Sequence, residues 1–438
     1  MAIFPAGDPH CLLSHQSVGT RLALHSLRQQ LFCWDAANDR AVPLCPSSYL
    51  VCIHLRSARP GSRGRDEEAL FRQSTSRQVN NVSVRGFIQA NSMTSPWRVA
   101  VVGGGIVGLS TAVRIAEEVA LGNVHVTVLA EHFSPHTTGD VAAGFFNPYI
   151  VHGVSEEKLR SWCVEAFTFY QRLAESADSN ELGLAVVPAY ILREEHTPRP
   201  SYADAFFHYR DLTERELASF TPKYRYGSYV TSLTIECKKF LPYLMERLES
   251  RGGRLMQRRV NSLEELAGEY DVIVNCTGFG AGALVSDPKV HAVRGQTIRV
   301  HAPWIKHAIV AGEDFHVIPN IDDVMLGGTK DVGDTSLIPD RDIARKIWNG
   351  CLQFVPSLKN AKVIGHYVGL RPGRNPVRIG REDYVFNGGA GKVPVIHNYG
   401  HGGSGITIAW GCAGDVVRLL RDSIRERSPG RCETRAKL

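Results

Sequence analysis

Three glycines near residue 100 have a spacing that can bind phosphate. The segment RVAVVGGGIVGL places Gly103, Gly105 and Gly108 in a G-x-G-x-x-G pattern between a strand-like run and a helix-like run. The first glycine permits a tight turn, the second lets backbone N–H groups approach a pyrophosphate, and the third allows close helix–strand packing. A helix that begins at such a turn favours an anion at its N-terminus. We therefore predict a nucleotide site at these glycines, with Ile106 and Val107.

An acidic residue follows the turn at the distance that a dinucleotide site requires. Glu131 ends the strand-like HVTVLAE, twenty-three positions after Gly108. A carboxylate there accepts hydrogen bonds from an adenosine ribose and disfavours the 2′-phosphate of NADP. The residues alone leave FAD and NAD open as the nucleotide.

Composition and charge exclude several classes of protein. The chain has 438 residues, of which 43% are hydrophobic, and a net charge of +6. This length is enough for two or three globular domains. The first 92 residues carry +4 of the charge, so the remaining chain is nearly neutral and no nucleic-acid partner is predicted. No run of eighteen apolar residues and no secretory signal occurs, so no membrane span is predicted.

The ten cysteines are scattered along the chain. They form no C-x-x-C pair and have no zinc-like spacing, so we predict reduced thiols and no metal site.

Six segments that follow the glycine turn form, together with it, a recognisable series of motifs. They are FSPHTTGDVAAGFFNPY (133–149), DVIVNCTGFGAGAL (271–284), VRGQ (293–296), APW (302–304), VGLRPGR (368–374) and HNYGHGGSGITIAWG (397–411). In this order they resemble the D-amino-acid oxidase and D-aspartate oxidase family over about residues 97–438. The resemblance implies non-covalent FAD and the oxidation of a D-amino acid to a 2-oxo acid, with release of ammonia and hydrogen peroxide. Its implied catalysis rests on orientation and electrostatics.

The resemblance also implies a fold and a domain plan. The fold class is α/β, with a Rossmann-like FAD-binding domain and an inserted α+β substrate domain. We expect the FAD-binding domain to comprise residues 93–150, about 240–290 and 360–432. The substrate domain is expected at about 151–240 and 291–359. Residues 1–92 have no counterpart, and we predict a flexible extension or an upstream start.

The resemblance assigns further residues to FAD. Thr137 and Thr138 match threonines that contact the diphosphate, Val260 matches a backbone contact to adenine, and His132 stands where a basic residue is usual. Gly139 replaces a third threonine. A second glycine loop, which is implied to pass against the flavin, contributes Gly402, Gly403, Gly405, Ile406 and Thr407.

Arg371, in LRPGR, matches the arginine that binds the substrate carboxylate. A planar guanidinium can grip a carboxylate through two parallel hydrogen bonds. Tyr149, Gly403 and Ser404 belong to the same implied pocket, and His316 stands where a branch acting on neutral substrates has a tyrosine.

These residues do not decide which substrate side chain the enzyme prefers. Tyr149 and Gly403 resemble enzymes that act on neutral D-amino acids. Lys330 stands where D-aspartate enzymes carry an arginine, and it could select an acidic side chain. We expect a general D-amino-acid oxidase that also accepts acidic substrates, with a specific D-aspartate oxidase as the alternative.

Three rival functions also stay open. They are an amine oxidase of the same fold acting on glycine or N-methylated amino acids, a non-catalytic flavin-binding protein, and an NAD dehydrogenase.

The last three residues, Ala436, Lys437 and Leu438, are close to the peroxisomal address S-K-L. They predict a peroxisomal import receptor as a partner and location in the peroxisomal matrix, where a peroxide-producing oxidase would lie beside catalase.

Overall fold

The computed structural model describes residues 32–35, 40–43, 95–118, 121–386 and 392–427. The chain divides into two units, residues 1–87 and 88–438. In the first unit the described residues form two antiparallel strands, β1 (Phe32–Asp35) and β2 (Arg40–Pro43). The other residues of the predicted extension, 1–31, 36–39 and 44–92, lie outside the described part of the chain.

The second unit combines helices with one large sheet. Its strands are β3 (Trp97–Val102), β4 (Val124–Ala130), β5 (Leu184–Arg193), β6 (His208–Asp211), β7 (Tyr226–Ile235), β8 (Arg254–Gln257), β9 (Val272–Asn275), β10 (His291–His301), β11 (Ala308–Ala311), β12 (Phe315–Pro319), β13 (Val324–Gly327), β14 (Asp331–Val332), β15 (Lys362–Val385) and β16 (Lys392–His401). Its α-helices are α1 (Ile106–Glu117), α2 (Glu156–Ala174), α3 (Glu214–Leu217), α4 (Cys237–Ser250), α5 (Ala281–Leu284), α6 (Arg341–Phe354) and α7 (Gly405–Arg427).

One end of the sheet is parallel and carries the predicted βαβ unit. Strands β16, β9, β3, β4 and β8 are neighbours in that order, and each adjacent pair is parallel. Alternate residues of β3 enter different cores because side chains alternate across a strand. Val99 and Val101 pack with α1, α4 and α7, whereas Ala100 and Val102 pack with Leu263 on the other face. Burial on both faces explains why this strand reads as a continuous apolar run.

The other end of the sheet is mostly antiparallel. Its order is β6, β7, β5, β11, β12, β13, β10 and β15, with β14 also paired to β10. Strand β15 joins the two ends: residues up to Gly373 pair with β10, and residues from Arg378 pair with β16. Arg371 therefore lies where the antiparallel end meets the parallel end.

The predicted α/β class is confirmed. The helix that begins at the first glycine turn, α1, ends at Glu117, and the last helix, α7, continues to Arg427. Since residues 88–438 form one unit, the division into FAD-binding and substrate domains stays a prediction. Among the described helices, none is long and apolar enough to cross a membrane.

Candidate active site

The predicted glycine turn connects β3 to α1. Gly103 has a φ of 125°, which favours glycine. A side chain at Gly108 would overlap the carbonyl oxygen of Gly103, so this third glycine serves packing. Beside Gly105 no protein atom lies within 4 Å of the position that a Cβ would take. Gly105 also caps α1 without a side-chain hydrogen bond, which leaves the first N–H groups of the helix available to an anion.

Glu131 and His132 follow the end of β4 and line the same cavity as the turn. The Glu131 carboxylate accepts a hydrogen bond of 3.1 Å from Nη1 of Arg259, and it lies 3.7 Å from Nε2 of His132. The carboxylate is about half exposed, so it remains accessible to a ribose hydroxyl. Arg259, which the sequence analysis did not identify, keeps it oriented.

Thr137 and Thr138 line this cavity too. The backbone N–H and hydroxyl of Thr137 both donate to the Asp140 carboxylate, at 2.8 and 2.7 Å. The Ser134 hydroxyl donates to the same carboxylate at 2.6 Å. Asp140 is 5% exposed. Its carboxylate holds the threonine segment in place through these three hydrogen bonds, a role that the sequence did not indicate.

The resulting cavity has the lining expected of a dinucleotide site. It collects all the predicted cofactor residues except Gly108, which packs beneath the turn, and Thr407, which lines the adjoining pocket. Two buried polar atoms in its wall, Oδ1 of Asn398 and Nε2 of His401, have no hydrogen-bond partner among the described residues. Open space at Gly105 and a helix N-terminus without a side-chain cap suit the pyrophosphate of FAD.

A second pocket adjoins this cavity. Thr138, Ala142, Arg371, Gly403 and Ile406 line both. The second pocket also brings together Tyr149, His316, Arg371 and Gly403, four of the predicted substrate residues. The structure thus places the predicted carboxylate anchor at the junction of the two spaces.

The Arg371 guanidinium lies flat across Gly295 of β10, where any side chain would overlap it. Its Nη1 donates to the carbonyl oxygens of Thr329 and Arg294, at 2.9 and 3.4 Å. Within the described residues, neither Nε nor Nη2 donates a hydrogen bond and no carboxylate pairs with the group. Burial lowers the pKa of Arg371. The Nε and Nη2 edge therefore offers two parallel donors to a ligand carboxylate.

His316 lies across Gly327 in the same manner. A Cβ at Gly327 would overlap Nε2 of the imidazole. Burial, together with the charge of Arg371, lowers the pKa of His316 to about 4, so the ring is neutral at pH 7.

Tyr149 is held by the second glycine loop. The Ser404 hydroxyl accepts from the Tyr149 N–H at 2.6 Å and donates to the Tyr149 carbonyl at 2.9 Å. A Cβ at Gly403 would lie 2.5 Å from Cδ1 of the ring. Arg371 lies 5.8 Å from the ring centroid. Ser404 thus holds the backbone of Tyr149 in place. It does not itself line the pocket.

Lys330 does not line the pocket either. Its ammonium pairs with the carboxylate of Glu313, which does line the pocket and which the sequence analysis missed. Glu313 lies between β11 and β12. The charged side chains of the lining are therefore Arg371 and Glu313, one cation and one anion.

No group of three or more potential metal ligands occurs within the described ranges, and the prediction of no metal site rests on the sequence alone.

We predict that Gly105→Ala and Gly108→Ala separate cofactor binding from folding. At Gly105 an added methyl group contacts no protein atom, so the melting temperature of FAD-free protein should not change. The methyl group would occupy space in the cavity, and FAD affinity should fall about tenfold or more, about 1.4 kcal/mol. At Gly108 the overlap should destabilise the FAD-free protein by about 1–3 kcal/mol.

Thermal unfolding of the FAD-free proteins and FAD titration would measure both effects. Wild-type FAD affinity in Gly105→Ala would contradict the assignment of this cavity.

Comparisons with known proteins agree with this geometry. A model of the family described as FAD dependent oxidoreductase matches residues 98–419. The chain is 38% identical to a D-aspartate oxidase of Homo sapiens, over 75% of the chain and 95% of that protein. It is 36% identical to a D-amino acid oxidase of Dugesia ryukyuensis, over 74% of the chain and 97% of that protein.

Solved structures show the same fold. A glycine oxidase from Geobacillus kaustophilus superposes with a TM-score of 0.61 at 16% identity, covering 74% of the chain and 95% of that structure. An L-proline dehydrogenase from P. horikoshii superposes with a TM-score of 0.59 at 15% identity, covering 74% and 93%. The family match spans most of the chain and includes the turn, the cavity and Arg371. The chain therefore belongs to the family of FAD-dependent oxidoreductases.

Proposed function

We propose that this protein oxidises D-amino acids with bound FAD. The product is the imino acid, which water converts to a 2-oxo acid and ammonia, and dioxygen is reduced to hydrogen peroxide. The observation that carries the proposal is the unpaired guanidinium of Arg371 at the junction of the FAD cavity and the pocket. The relatives named D-amino acid oxidase and D-aspartate oxidase support the D configuration.

Arg371 orients the substrate in this proposal. Two backbone carbonyls accept hydrogen bonds from Nη1 and restrict the rotation of the guanidinium. The orientation of the Nε and Nη2 edge is therefore fixed. A carboxylate bound there fixes the α-carbon relative to the FAD cavity. Such fixed geometry supplies much of the rate enhancement of enzymes.

FAD supplies the hydride acceptor for the α-hydrogen. The pocket itself needs no general base when the substrate amine enters neutral, since the remaining step is the loss of a hydride. The neutral imidazole of His316 and the tyrosine ring beside Arg371 shape the pocket and exclude water.

We also propose that the preferred side chains are uncharged. Lys330, the residue that could select an acidic side chain, pairs with Glu313. Because Glu313 neutralises its ammonium, Lys330 offers no free positive charge to a second carboxylate on the substrate. The contact of Lys330 therefore favours a general D-amino-acid oxidase over a specific D-aspartate oxidase.

The non-catalytic alternative is less well supported. Leaving a buried guanidinium without a carboxylate costs stability, and a protein that binds no substrate would gain from pairing or replacing it.

We predict that Arg371→Met retains FAD and loses turnover. The cofactor cavity keeps its other walls, so the flavin absorbance should persist. The rate constant kcat/KM for D-alanine should fall about a thousandfold, about 4 kcal/mol, because the substrate carboxylate loses its partner.

Peroxide release by the FAD-loaded protein would measure this loss. Arg345→Met is the matched control, since Arg345 is exposed on α6 and pairs with Asp342. Equal kcat/KM in Arg371→Met and wild type would contradict the proposal.

We propose in addition that Ala436, Lys437 and Leu438 direct the protein to the peroxisome. These residues lie outside the described part of the chain. The sequence similarity to the peroxisomal address and the expected production of peroxide support the proposal.

A fluorescent reporter that ends in Ala-Lys-Leu should enter peroxisomes, whereas one that ends in Ala-Lys-Ala should stay outside them. Uniform distribution of the first reporter would contradict this address.

A further inference from the structure

The function proposed so far uses no hydrogen bond of two buried polar atoms in the pocket, the Thr297 hydroxyl oxygen and Nε2 of His316. Thr297 is 5% exposed, and its hydroxyl oxygen has no hydrogen-bond partner among the described residues. Nε2 of His316 is also buried without such a partner. Both residues line the pocket. Buried polar groups without partners are costly and are uncommon in folded proteins.

The register of the sheet places these two groups side by side. Thr297 of β10 lies opposite Gly327 of β13, and Gly327 lies opposite His316 of β12. Side chains of directly opposed residues project from the same face of a sheet. Because Gly327 has no side chain, the imidazole lies over it and extends toward β10. The hydroxyl and the imidazole therefore flank one glycine on the face that lines the pocket.

The same face carries the carboxylate anchor. Gly295 precedes Thr297 by two residues on β10, and the Arg371 guanidinium covers it. The Arg371 guanidinium, which comes from the neighbouring strand β15, therefore lies next to Thr297 over β10. A substrate whose carboxylate binds Arg371 has its side chain within reach of Thr297 and His316.

The chemistry of the two groups is polar and uncharged. A hydroxyl both donates and accepts, and a neutral imidazole has one donor and one acceptor nitrogen. The pKa of His316, lowered to about 4 by burial and by Arg371, keeps the ring neutral in neutral solution. Neither group carries a positive charge that could pair with a carboxylate side chain.

We propose that Thr297 and His316 form a subsite for a neutral, hydrogen-bonding substrate side chain, such as an amide. This inference rests on the proposed oxidation of D-amino acids and names the side-chain class that this site prefers. An apolar side chain of the same shape would leave both buried groups unpaired. Sites built to hydrogen-bond a substrate group discriminate strongly against analogues that lack it.

Three D-amino acids of nearly equal shape test the inference. On the β-carbon, D-asparagine carries an amide, D-leucine an isopropyl group and D-aspartate a carboxylate. With the FAD-loaded protein at pH 7.5, kcat/KM for D-asparagine should exceed that for each of the others by about tenfold or more. A value for D-leucine or D-aspartate equal to or above that for D-asparagine would overturn the inference.

Thr297→Val tests the residue itself. The change keeps the shape and removes the hydroxyl, so the ratio of D-asparagine to D-leucine should fall about fivefold to thirtyfold. The fall in the ratio should come from a lower kcat/KM for D-asparagine. Since the lost hydroxyl had no partner, the melting temperature should not fall. A merely structural role for the hydroxyl would lower the melting temperature and leave the ratio unchanged.

Thr234→Val is the matched control. Thr234 is also fully buried with an unpartnered hydroxyl, but it does not line the pocket. Its substitution should leave the substrate ratio unchanged. An equal loss for all three substrates in Thr297→Val would show that the hydroxyl binds the common α-amino group, which overturns the inference. Bound FAD without oxidation of any D-amino acid would overturn the proposed function itself, and this inference with it.

Discussion

A guanidinium without a carboxylate is the constraint around which this pocket is arranged. Desolvating a cation costs free energy unless an anion or several dipoles compensate it. In this protein two carbonyl oxygens hold one nitrogen of Arg371, and the other donors remain for a ligand. Strand β15 brings the residue to this point because it changes its partner from β10 to β16 just beyond it. The anchor thus depends on the junction of the two ends of the sheet.

Two glycines, Gly295 and Gly327, shape the pocket because they have no side chains. Arg371 covers Gly295, and His316 covers Gly327. Each glycine provides a flat place on the sheet where a long side chain from a neighbouring strand can lie. A methyl group at either position would push a functional group off the sheet and into the space for the substrate. The two glycines therefore determine how deep the pocket is and allow the polar groups of Arg371 and His316 to line it.

Local features of the site could be predicted from the sequence, and contacts between distant residues could not. The glycine turn at Gly103 depends on only a few neighbouring residues, so the sequence was enough to predict it. The structure confirms that it lies between strand β3 and helix α1. Lys330 was identified by position, but its side chain pairs with Glu313, seventeen residues earlier, and such a pairing leaves no local pattern. Thr297 lies in GQTIRV and resembles an ordinary buried strand residue. Only the register with Gly327 and His316 places Thr297 beside the imidazole in the wall of the pocket.

Reduction of the bound flavin by substrate, in the absence of oxygen, is the sharpest test of whether this protein oxidises D-amino acids. The absorbance of the FAD-loaded protein near 450 nm would be followed after D-alanine or L-alanine is added anaerobically, at about equal concentrations far above the enzyme. The proposed function predicts complete bleaching with D-alanine, none with L-alanine, and recovery of the colour when oxygen is admitted. A flavin that stays oxidised with D-alanine and other neutral D-amino acids would contradict it.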